Sequence, residues 1–214
     1  PSVSSATPIA SLGTKSPDAR DTREPKRSVT PSRAKRESVP PVCVTQALPA
    51  ALGAVRIRSD IERKRLYGLD AAARTESQPG AGIYTPDATA RTYALLARHA
   101  RSIAGAGYPV IIDATFLKHA QRAAFRALAQ ELGVPFMIAN FTAPPEVLRA
   151  RVAARAAQGG DASEAELAVL EAQIATHEAL TADERGLAVA TDVRGDPAAG
   201  ARALCDALTQ RLKR

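Results

Sequence analysis

The chain has 214 residues, 45% of them hydrophobic, which is enough for one ordinary domain with a sizeable buried core. Its net charge of +7 suits anionic partners such as nucleotides or nucleic acid, although much of the excess lies within residues 1–41. The two cysteines, Cys43 and Cys205, are far apart in sequence and support neither a disulfide framework nor a zinc site. The sequence contains no apolar run of membrane length, so a cytoplasmic protein is the default interpretation.

Residues 1–41 consist mainly of Ser, Pro, Thr, Arg and Lys and carry few large apolar side chains. Such a segment cannot bury enough apolar surface to offset its chain entropy, so we expect it to be disordered. Its basic run, which includes Lys26, Arg27 and Arg36, favours a solvated tail over a nucleic-acid contact, because no aromatic residues interleave for base stacking. The predicted folded domain therefore spans residues 42–214.

Within the folded domain, helical and strand patterns alternate. In chain order they predict a short helix over 44–52, a strand over 54–58, a helix from 59 or 60 to 66, a loop over 70–86, a helix over 86–105, a strand over 109–112, a helix over 120–132, a strand over 134–141, a helix from 145 to 159, a helix over 165–180, a strand over 187–190 and a helix over 198–212. Strands that alternate with helices of this length predict an α/β fold with a doubly wound parallel sheet.

The stretch from Tyr108 to Leu117, YPVIIDATFL, is the clearest buried strand. A run of β-branched residues without polar alternation is typical of a strand that is covered on both faces. Asp113 follows this run, at the carboxyl end of the strand, where open α/β sheets bind their ligands. A carboxylate that caps the next helix explains the same position equally well.

Three further charged positions are candidates for chemistry. Asp60 ends one strand and starts a helix, so it either orients or deprotonates a substrate hydroxyl, or serves as an N-cap together with Ser59. Arg151 and Arg155 are four residues apart and share one helix face, which suits phosphate clamping, although arginines are also common on surface helices.

Other polar residues favour structural roles. Asp161, Ser163 and Glu164 read as a capping box that starts a helix. The three histidines, at positions 99, 119 and 177, have no second ligand at helical spacing, so we interpret them as surface or packing residues.

Five segments carry a resemblance to a known family. They are VRIRSDIERKRLYGL (55–69), GIYTPDATARTYALLARHA (82–100), AGYPVIIDATFL (106–117), APPEVLRARVAARAAQGGDASEAELAVLEAQ (143–173) and VATD (189–192). In this order they resemble the P-loop kinase-type AAA-family ATPase domain, which is similar to gluconate kinases, zeta toxins, chloramphenicol phosphotransferase and the kinase half of phage polynucleotide kinase. In many bacteria that domain follows an aminoglycoside-phosphotransferase-like domain in one chain.

The resemblance implies a P-loop NTPase sheet of the kinase type and ATP-dependent transfer of a phosphoryl group to a hydroxyl of a small molecule or nucleotide, with ATP and Mg²⁺ as cofactors. Carried over by position, Asp60 resembles the acceptor-activating aspartate, with Arg63 beside it. Asp113 matches the carboxylate that helps to hold Mg²⁺ through water, and Thr115 lies at the same cleft. No membrane partner is implied.

The two helix arginines, Arg151 and Arg155, match the lid arginines that neutralise the transferring phosphate in this family. We therefore expect Asp60, Asp113 and one of these arginines to face a single cleft at the carboxyl ends of the strands. The phosphoacceptor itself stays open among sugars, antibiotics, nucleotides and polynucleotides.

The resemblance fails at the phosphate-binding loop. Family members begin with a strand and then GxxxxGK[ST], a motif that does not occur in this sequence, whereas residues 44–53 resemble the rest of the helix that follows it. We therefore expect impaired ATP binding, with a non-catalytic remnant or binding module of the same fold as the alternative. We also expect the central first strand to be missing, so that either residues 40–45 form a strand there or the sheet is broken.

Overall fold

The computed structural model describes residues 3–10, 48–50, 52–73, 82–159, 164–192 and 197–212. At residues 3–10, 155–159, 164–166, 192, 197–199, 201 and 212 the description covers the backbone alone. The predictions for Cys43, for residues 40–45 and for the acidic and hydroxyl side chains at 161–163 lie outside the described residues.

The helices and strands follow one another much as the sequence pattern predicts. They are β1 (Val3–Ala10), β2 (Val55–Arg58), α1 (Ser59–Leu66), a 3₁₀ turn (Gly82–Tyr84), α2 (Pro86–Gly105), β3 (Val110–Asp113), α3 (His119–Glu131), β4 (Met137–Ala143), α4 (Pro145–Gly159), α5 (Glu164–Thr176), α6 (Ala182–Leu187), β5 (Ala188–Asp192) and α7 (Pro197–Leu212). The predicted helix over 165–180 ends earlier, and the short α6 was not predicted.

The strands form one five-stranded sheet in the order β2-β3-β1-β4-β5. β2 is parallel to β3 and β4 is parallel to β5, while β1 runs antiparallel to both β3 and β4. The other four strands therefore share one direction, and their carboxyl ends meet at one edge of the sheet. The predicted α/β class is confirmed, with one antiparallel strand in an otherwise parallel sheet.

The central position of the sheet is filled by the amino-terminal segment, which corrects two expectations. We expected residues 1–41 to be disordered and the central strand to be missing, but residues 3–10 form β1 between β3 and β4. The physical reason is that the buried backbone groups of β3 and β4 need hydrogen-bond partners, which any extended segment can supply. The remaining part of the tail, residues 11–41, lies outside the described residues.

The register of β1 shows how far this pairing extends. Along β4 it runs from Val3↔Ala143 to Ile9↔Met137, whereas along β3 it covers only Ile9↔Ile111 and Ala10↔Val110. The residue before Ile9 is a proline, which has no N–H group to donate to a neighbouring strand. Pairing with β3 therefore covers the start of that strand and not its carboxyl end.

The helix over 86–105 was predicted from its sequence ends and is confirmed. Thr85 is its N-cap and accepts a hydrogen bond from the Ala88 backbone N–H at 3.1 Å, and Pro86 occupies the first turn. Leu96 and Ala100 lie on its buried face.

In the part of the chain that the structure describes, no helix has the length and apolar character that a membrane span requires.

Two apolar clusters cover the two faces of the sheet. The first lies under α2 and α3 and includes Ile57, Leu96, Val110, Ile112, Phe116 and Phe125. The second lies under the helical turn at residues 48–50 and under α7, and consists of Leu48, Ile111, Met137, Ala139, Leu204 and Leu208. Alternate residues of β3 enter opposite clusters, which confirms that this strand is buried on both faces.

Truncation of Leu48 tests this second cluster. Leu48 is completely buried against β3 and α7, so we expect Leu48→Ala to lower the free energy of unfolding by about 2–5 kcal/mol through lost burial and a residual cavity. Urea unfolding followed by circular dichroism measures the change. The matched control is Leu66→Ala, because Leu66 is 37% exposed and its truncation should cost far less. Equal effects of the two substitutions would contradict the packing described for the turn at residues 48–50.

Candidate functional site

The carboxyl ends of β2 and β3 bring two predicted site residues to the same edge. Arg58 ends β2 and is the register partner of Asp113, which ends β3. Asp60 lies in the first turn of α1, and its Oδ2 atom accepts a hydrogen bond from Arg58 Nη2 at 2.6 Å. The predicted N-cap role of Ser59 or Asp60 is wrong, because β2 runs directly into α1 and Arg58 is the boundary residue, with no side-chain cap.

Asp113 is held by an arginine of the neighbouring strand. Arg56 Nε donates to Asp113 Oδ2 at 2.9 Å, and Arg56 Nη2 donates to the same oxygen. The two side chains are 15% and 24% exposed. The alternative in which Asp113 caps the next helix does not hold, since the N-cap residue of α3 is Lys118.

Arg63 faces the protein rather than solvent. Its Nη1 atom donates to the Ile83 carbonyl at 2.9 Å and to Thr89 Oγ1 at 3.2 Å, and its guanidinium lies 5.2 Å from the centre of the Tyr84 ring. Burial lowers the pKa of Arg63, although the neighbouring tyrosines oppose this effect. Arg63 therefore joins α1 to the 3₁₀ turn and α2, while its suggested role toward a ligand stays a prediction.

The loop after β3 presents Thr115 to solvent on a firmly held backbone. The next residue, Phe116, is fully buried and has a positive φ of 44°, which is uncommon for a side chain with a Cβ. Its ring packs edge to face with Tyr93 and Phe125, at 5.2 Å between centroids in each pair. The Phe116 backbone N–H donates to Tyr93 Oη at 3.1 Å, and the Tyr93 side chain also hydrogen-bonds Thr115.

A buried ion pair also holds the loop after β3 in place. The side chain of Arg122 has no exposed surface, and its Nε and Nη2 atoms donate to the two carboxylate oxygens of Glu184 at 2.8 and 3.1 Å. Arg122 Nη1 donates to the Phe116 carbonyl at 3.0 Å, and Nη2 also donates to the Ala179 carbonyl at 3.3 Å. The guanidinium thereby joins α3, the loop after β3 and α6.

The Glu184 carboxylate has a strongly shifted pKa. Burial alone would raise the pKa of Glu184, but the hydrogen bonds from Arg122 and from the Thr181 backbone N–H outweigh it. Together with the charge of Arg122 and the contact with His119, they lower this pKa to about 2. Glu184 also completes a capping box with Thr181 at the start of α6.

Sequence reasoning did not single out Arg122 or Glu184, although both left a signal. Thr181 and Glu184 have the T-x-x-E spacing of a capping box. Arg122 lies three residues before Phe125 on α3, which places a cation on the apolar face of that helix. A charged residue on such a face predicts a buried partner, but the partner itself is 62 positions away in sequence.

Residues 177–181, which we call the strap, follow α5 in the chain and contact the loop after β3. The Glu178 backbone N–H donates to the Leu117 carbonyl at 2.8 Å, and the Glu178 carboxylate accepts from the His119 backbone N–H at 2.7 Å. Lys118 Nζ also lies 3.2 Å from this carboxylate. The strap is therefore fixed to the loop after β3 by several independent contacts.

The predicted lid helix begins at the same edge of the sheet. α4 starts at Pro145, directly after β4, and Arg149 makes a double hydrogen bond to Glu171 of α5 at 2.6 and 3.0 Å. Arg151 has an exposed side chain on α4, and only the backbone of Arg155 is described. The lid role of Arg151 and Arg155, and their place in one cleft with Asp60 and Asp113, stay predictions.

The remaining histidines and the described cysteine have ordinary surroundings. His99 Nε2 lies 3.5 Å from Glu62, and Cys205 is a free thiol on α7. His177 is half-buried, and its Nε2 atom has no hydrogen-bond partner among the described residues. Burial, together with the nearby charge of Arg122, lowers the pKa of His177.

A groove of about 340 Å³ lies along α3, away from Asp60 and Asp113. Its lining includes the apolar residues Ala123 and Phe136 and charged residues of both signs, among them Arg122, Arg126, Asp183 and Glu184. The groove therefore has no clear preference for an anion or a cation. None of the predicted site residues lines it.

The donor atoms at the edge do not fit a resident Mg²⁺ ion as they stand. Asp113 Oδ2 already accepts two hydrogen bonds from Arg56. Within the described ranges, no cluster of three or more His, Cys, Asp or Glu side chains could hold a metal ion. The sequence also lacks the GxxxxGK[ST] loop that would hold ATP phosphates.

Substitution of Glu184 tests the buried ion pair. Glu184→Gln leaves Arg122 buried without a counter-charge, so we expect the free energy of unfolding at pH 7 to fall by about 3–5 kcal/mol in urea titrations. The folded-state pKa of about 2 lies below the ordinary value of 4.5, so the contribution of Glu184 is fully present above pH 4.5. It is lost as the pH falls toward 2, and the stability of the variant should depend less on pH in this window.

The matched control is Glu171→Gln, which removes a carboxylate from the exposed pair with Arg149. Exposed ion pairs contribute little, so this variant should retain nearly the stability of the original chain. A cost for Glu184→Gln no larger than that for Glu171→Gln would show that the buried pair does not stabilise the fold.

Comparisons with known proteins agree with this architecture. A family model described as an AAA domain matches residues 43–180. A gluconokinase from Sinorhizobium meliloti 1021 has a similar structure, with a TM-score of 0.50 and 22% sequence identity over 78% of this chain and 88% of that chain. At this identity the likeness shows the fold alone. No curated protein matches the chain.

The matched region starts just before the helical turn at residues 48–50 and extends to the strap that follows α5. It therefore includes β2, β3 and β4 together with the edge that carries Asp60 and Asp113. Since the match spans more than half of the sequence, the chain belongs to the AAA domain family and has a P-loop kinase-type α/β fold.

Proposed function

We propose that this chain is a phosphotransferase-type domain in which Asp60 binds and activates the hydroxyl group of a phosphoacceptor. The observation that carries the proposal is the position of Asp60, in the first turn of a helix that starts directly at the carboxyl end of β2. In open α/β sheets this edge is where ligands bind. The acceptor is a small molecule or a nucleotide.

The surroundings of Asp60 suit that role. The carboxylate lies in the first turn of a helix and accepts a hydrogen bond from the Arg58 guanidinium at 2.6 Å. The side chain is 47% exposed, so a substrate hydroxyl can approach it. An accessible carboxylate can accept a hydrogen bond from the hydroxyl and take up its proton as the phosphoryl group arrives.

We assign the phosphate-neutralising role to α4. Arg149 pairs with Glu171, and Arg151 and Arg155 lie further along the same helix. In phosphoryl transfer, catalysis comes almost entirely from positioning and charge neutralisation, and arginines suit this because each guanidinium can bind two oxygens. Thr115, held through Tyr93, offers a hydroxyl at the same edge.

On the nucleotide side we propose that this sequence is impaired. A P-loop supplies several backbone N–H donors, a lysine and a metal-binding hydroxyl, all directed at the β- and γ-phosphates. Without GxxxxGK[ST], ATP·Mg²⁺ has no such cradle, and the lid arginines alone do not fix an in-line geometry. The pairing of Asp113 with Arg56 favours a second candidate function, a non-catalytic module that binds the acceptor without turnover.

Calorimetry with ATP·Mg²⁺ tests the nucleotide side. We expect the 214-residue chain to show no micromolar binding, because the phosphate cradle is missing. A parallel strand followed by a GxxxxGKS loop, grafted in place of residues 1–43 so that it takes the sheet position of β1, should restore binding. Micromolar binding and turnover by the unrepaired chain would contradict the proposed impairment.

The repaired chain also tests Asp60. Incubation with labelled ATP and a panel of sugars, antibiotics, nucleosides and oligonucleotides identifies the acceptor. Asp60→Asn should then abolish transfer, because the amide cannot take up the hydroxyl proton. The matched control is Asp87→Asn, which alters another first-turn aspartate that pairs with an arginine, Arg91, at 2.9 Å. Full activity of the Asp60 variant would rule out its assigned role.

A further inference from the structure

Two arginine–aspartate pairs stand side by side where β2 and β3 end, and they differ in exposure. Arg58 and Asp60 are 42% and 47% exposed. Arg56 and Asp113 are only 15% and 24% exposed. Water and salt therefore screen the first pair much more strongly than the second.

The register of the strands explains how Arg56 reaches Asp113. Arg56 is paired with Ile111 and Arg58 with Asp113, so all four side chains emerge on the same face of the sheet. Arg56 therefore extends along this face by the two-residue repeat of the strand. It places Nε 2.9 Å from Asp113 Oδ2, with Nη2 on the same oxygen.

We propose that Arg56 is the built-in counter-cation of Asp113 and that it excludes a divalent metal ion from this carboxylate. The inference concerns the metal ion of the proposed function, but it requires no nucleotide and no turnover.

Charge and geometry support this assignment. Hydrogen bonds between a guanidinium and a carboxylate are strong, and partial burial protects this pair from solvent. Mg²⁺ loses its water shell reluctantly and usually binds one or two carboxylates together with substrate phosphates. To reach Asp113 Oδ2 it has to displace Arg56, which then remains a largely buried cation without its partner.

The contrast with the neighbouring pair separates two roles. The exposed ion pair between Arg58 and Asp60 separates easily, so the Asp60 carboxylate stays accessible to an acceptor. The shielded Arg56–Asp113 pair resists exchange, so the Asp113 carboxylate does not accept a metal ion. Within the described residues, no cluster of acidic or histidine side chains offers an alternative metal site.

The test uses Mn²⁺ as a paramagnetic substitute for Mg²⁺ and the ¹⁵N-labelled full chain. In the original chain, millimolar Mn²⁺ should not selectively broaden the amide signals around Asp113. In Arg56→Met the carboxylate loses its counter-cation, so the apparent Mn²⁺ affinity at these amides should increase by about tenfold or more. Asp113→Asn in the same background should remove the gain.

Two further arginine variants serve as controls. Arg56→Lys retains a positive charge beside Asp113 and should exclude Mn²⁺ as the original chain does. Arg58→Met removes an arginine from the same strand but leaves the Arg56–Asp113 pair, so the amides around Asp113 should stay sharp. Should Arg56→Met fail to fold, Arg56→Gln, which has a polar head group without charge, replaces it in the same titration.

Two results would overturn the inference. One is selective broadening around Asp113 in the original chain at the Mn²⁺ concentration that affects Arg56→Met. The other is a folded, uncharged Arg56 variant that gains no metal binding. Since the test contains only metal ion, its failure leaves the role of Asp60 unaffected, and loss of the Asp60 role leaves the metal result unaffected.

Discussion

The loop after β3 depends on the buried ion pair between Arg122 and Glu184. Removing two charges from water is costly, and the cost is offset only when every donor finds a partner. Here the guanidinium binds both carboxylate oxygens and two backbone carbonyls, and these hydrogen bonds offset the cost of burying its charge. Because one of those carbonyls belongs to Phe116, the ion pair fixes a backbone turn only three residues after Asp113.

Phe116 shows how polar and apolar contacts combine at this turn. Its carbonyl is bound by Arg122, its N–H is bound by Tyr93, and its ring fills the space between Tyr93 and Phe125. The uncommon positive φ persists because all three interactions require the same conformation. Thr115 is consequently presented on a scaffold of fixed shape, which is what a functional site on a loop requires.

Much of the fold was predictable because its signals are local. The unbroken apolar run before Asp113 identified β3, and Pro86 at one end and Gly105 at the other identified α2. β1 was not predictable, because residues 3–10 are poor in large apolar side chains and their strand depends on backbone pairing with β3 and β4, more than 90 positions away.

The candidate site, like the fold, was predictable only in part. Asp60 and Asp113 were predicted to share an edge because parallel strands bring their carboxyl ends together, and their positions follow from strand direction alone. Their partners were not predicted, since the contact between Arg56 and Asp113 depends on the register of two strands 57 positions apart. The Arg122–Glu184 pair was missed for the same reason, as its members are adjacent only in the folded chain.

The strap at residues 177–181 has a mechanical consequence. Because Glu178 is bound to Leu117, to the His119 backbone and to Lys118, the chain is anchored immediately after α5, while Pro144 and Pro145 stiffen it immediately before α4. The α4–α5 hairpin is thus bounded at both ends, and it is held together by Arg149 and Glu171 at its surface. Movement of α4 and α5 relative to the sheet is therefore restricted at these two boundaries.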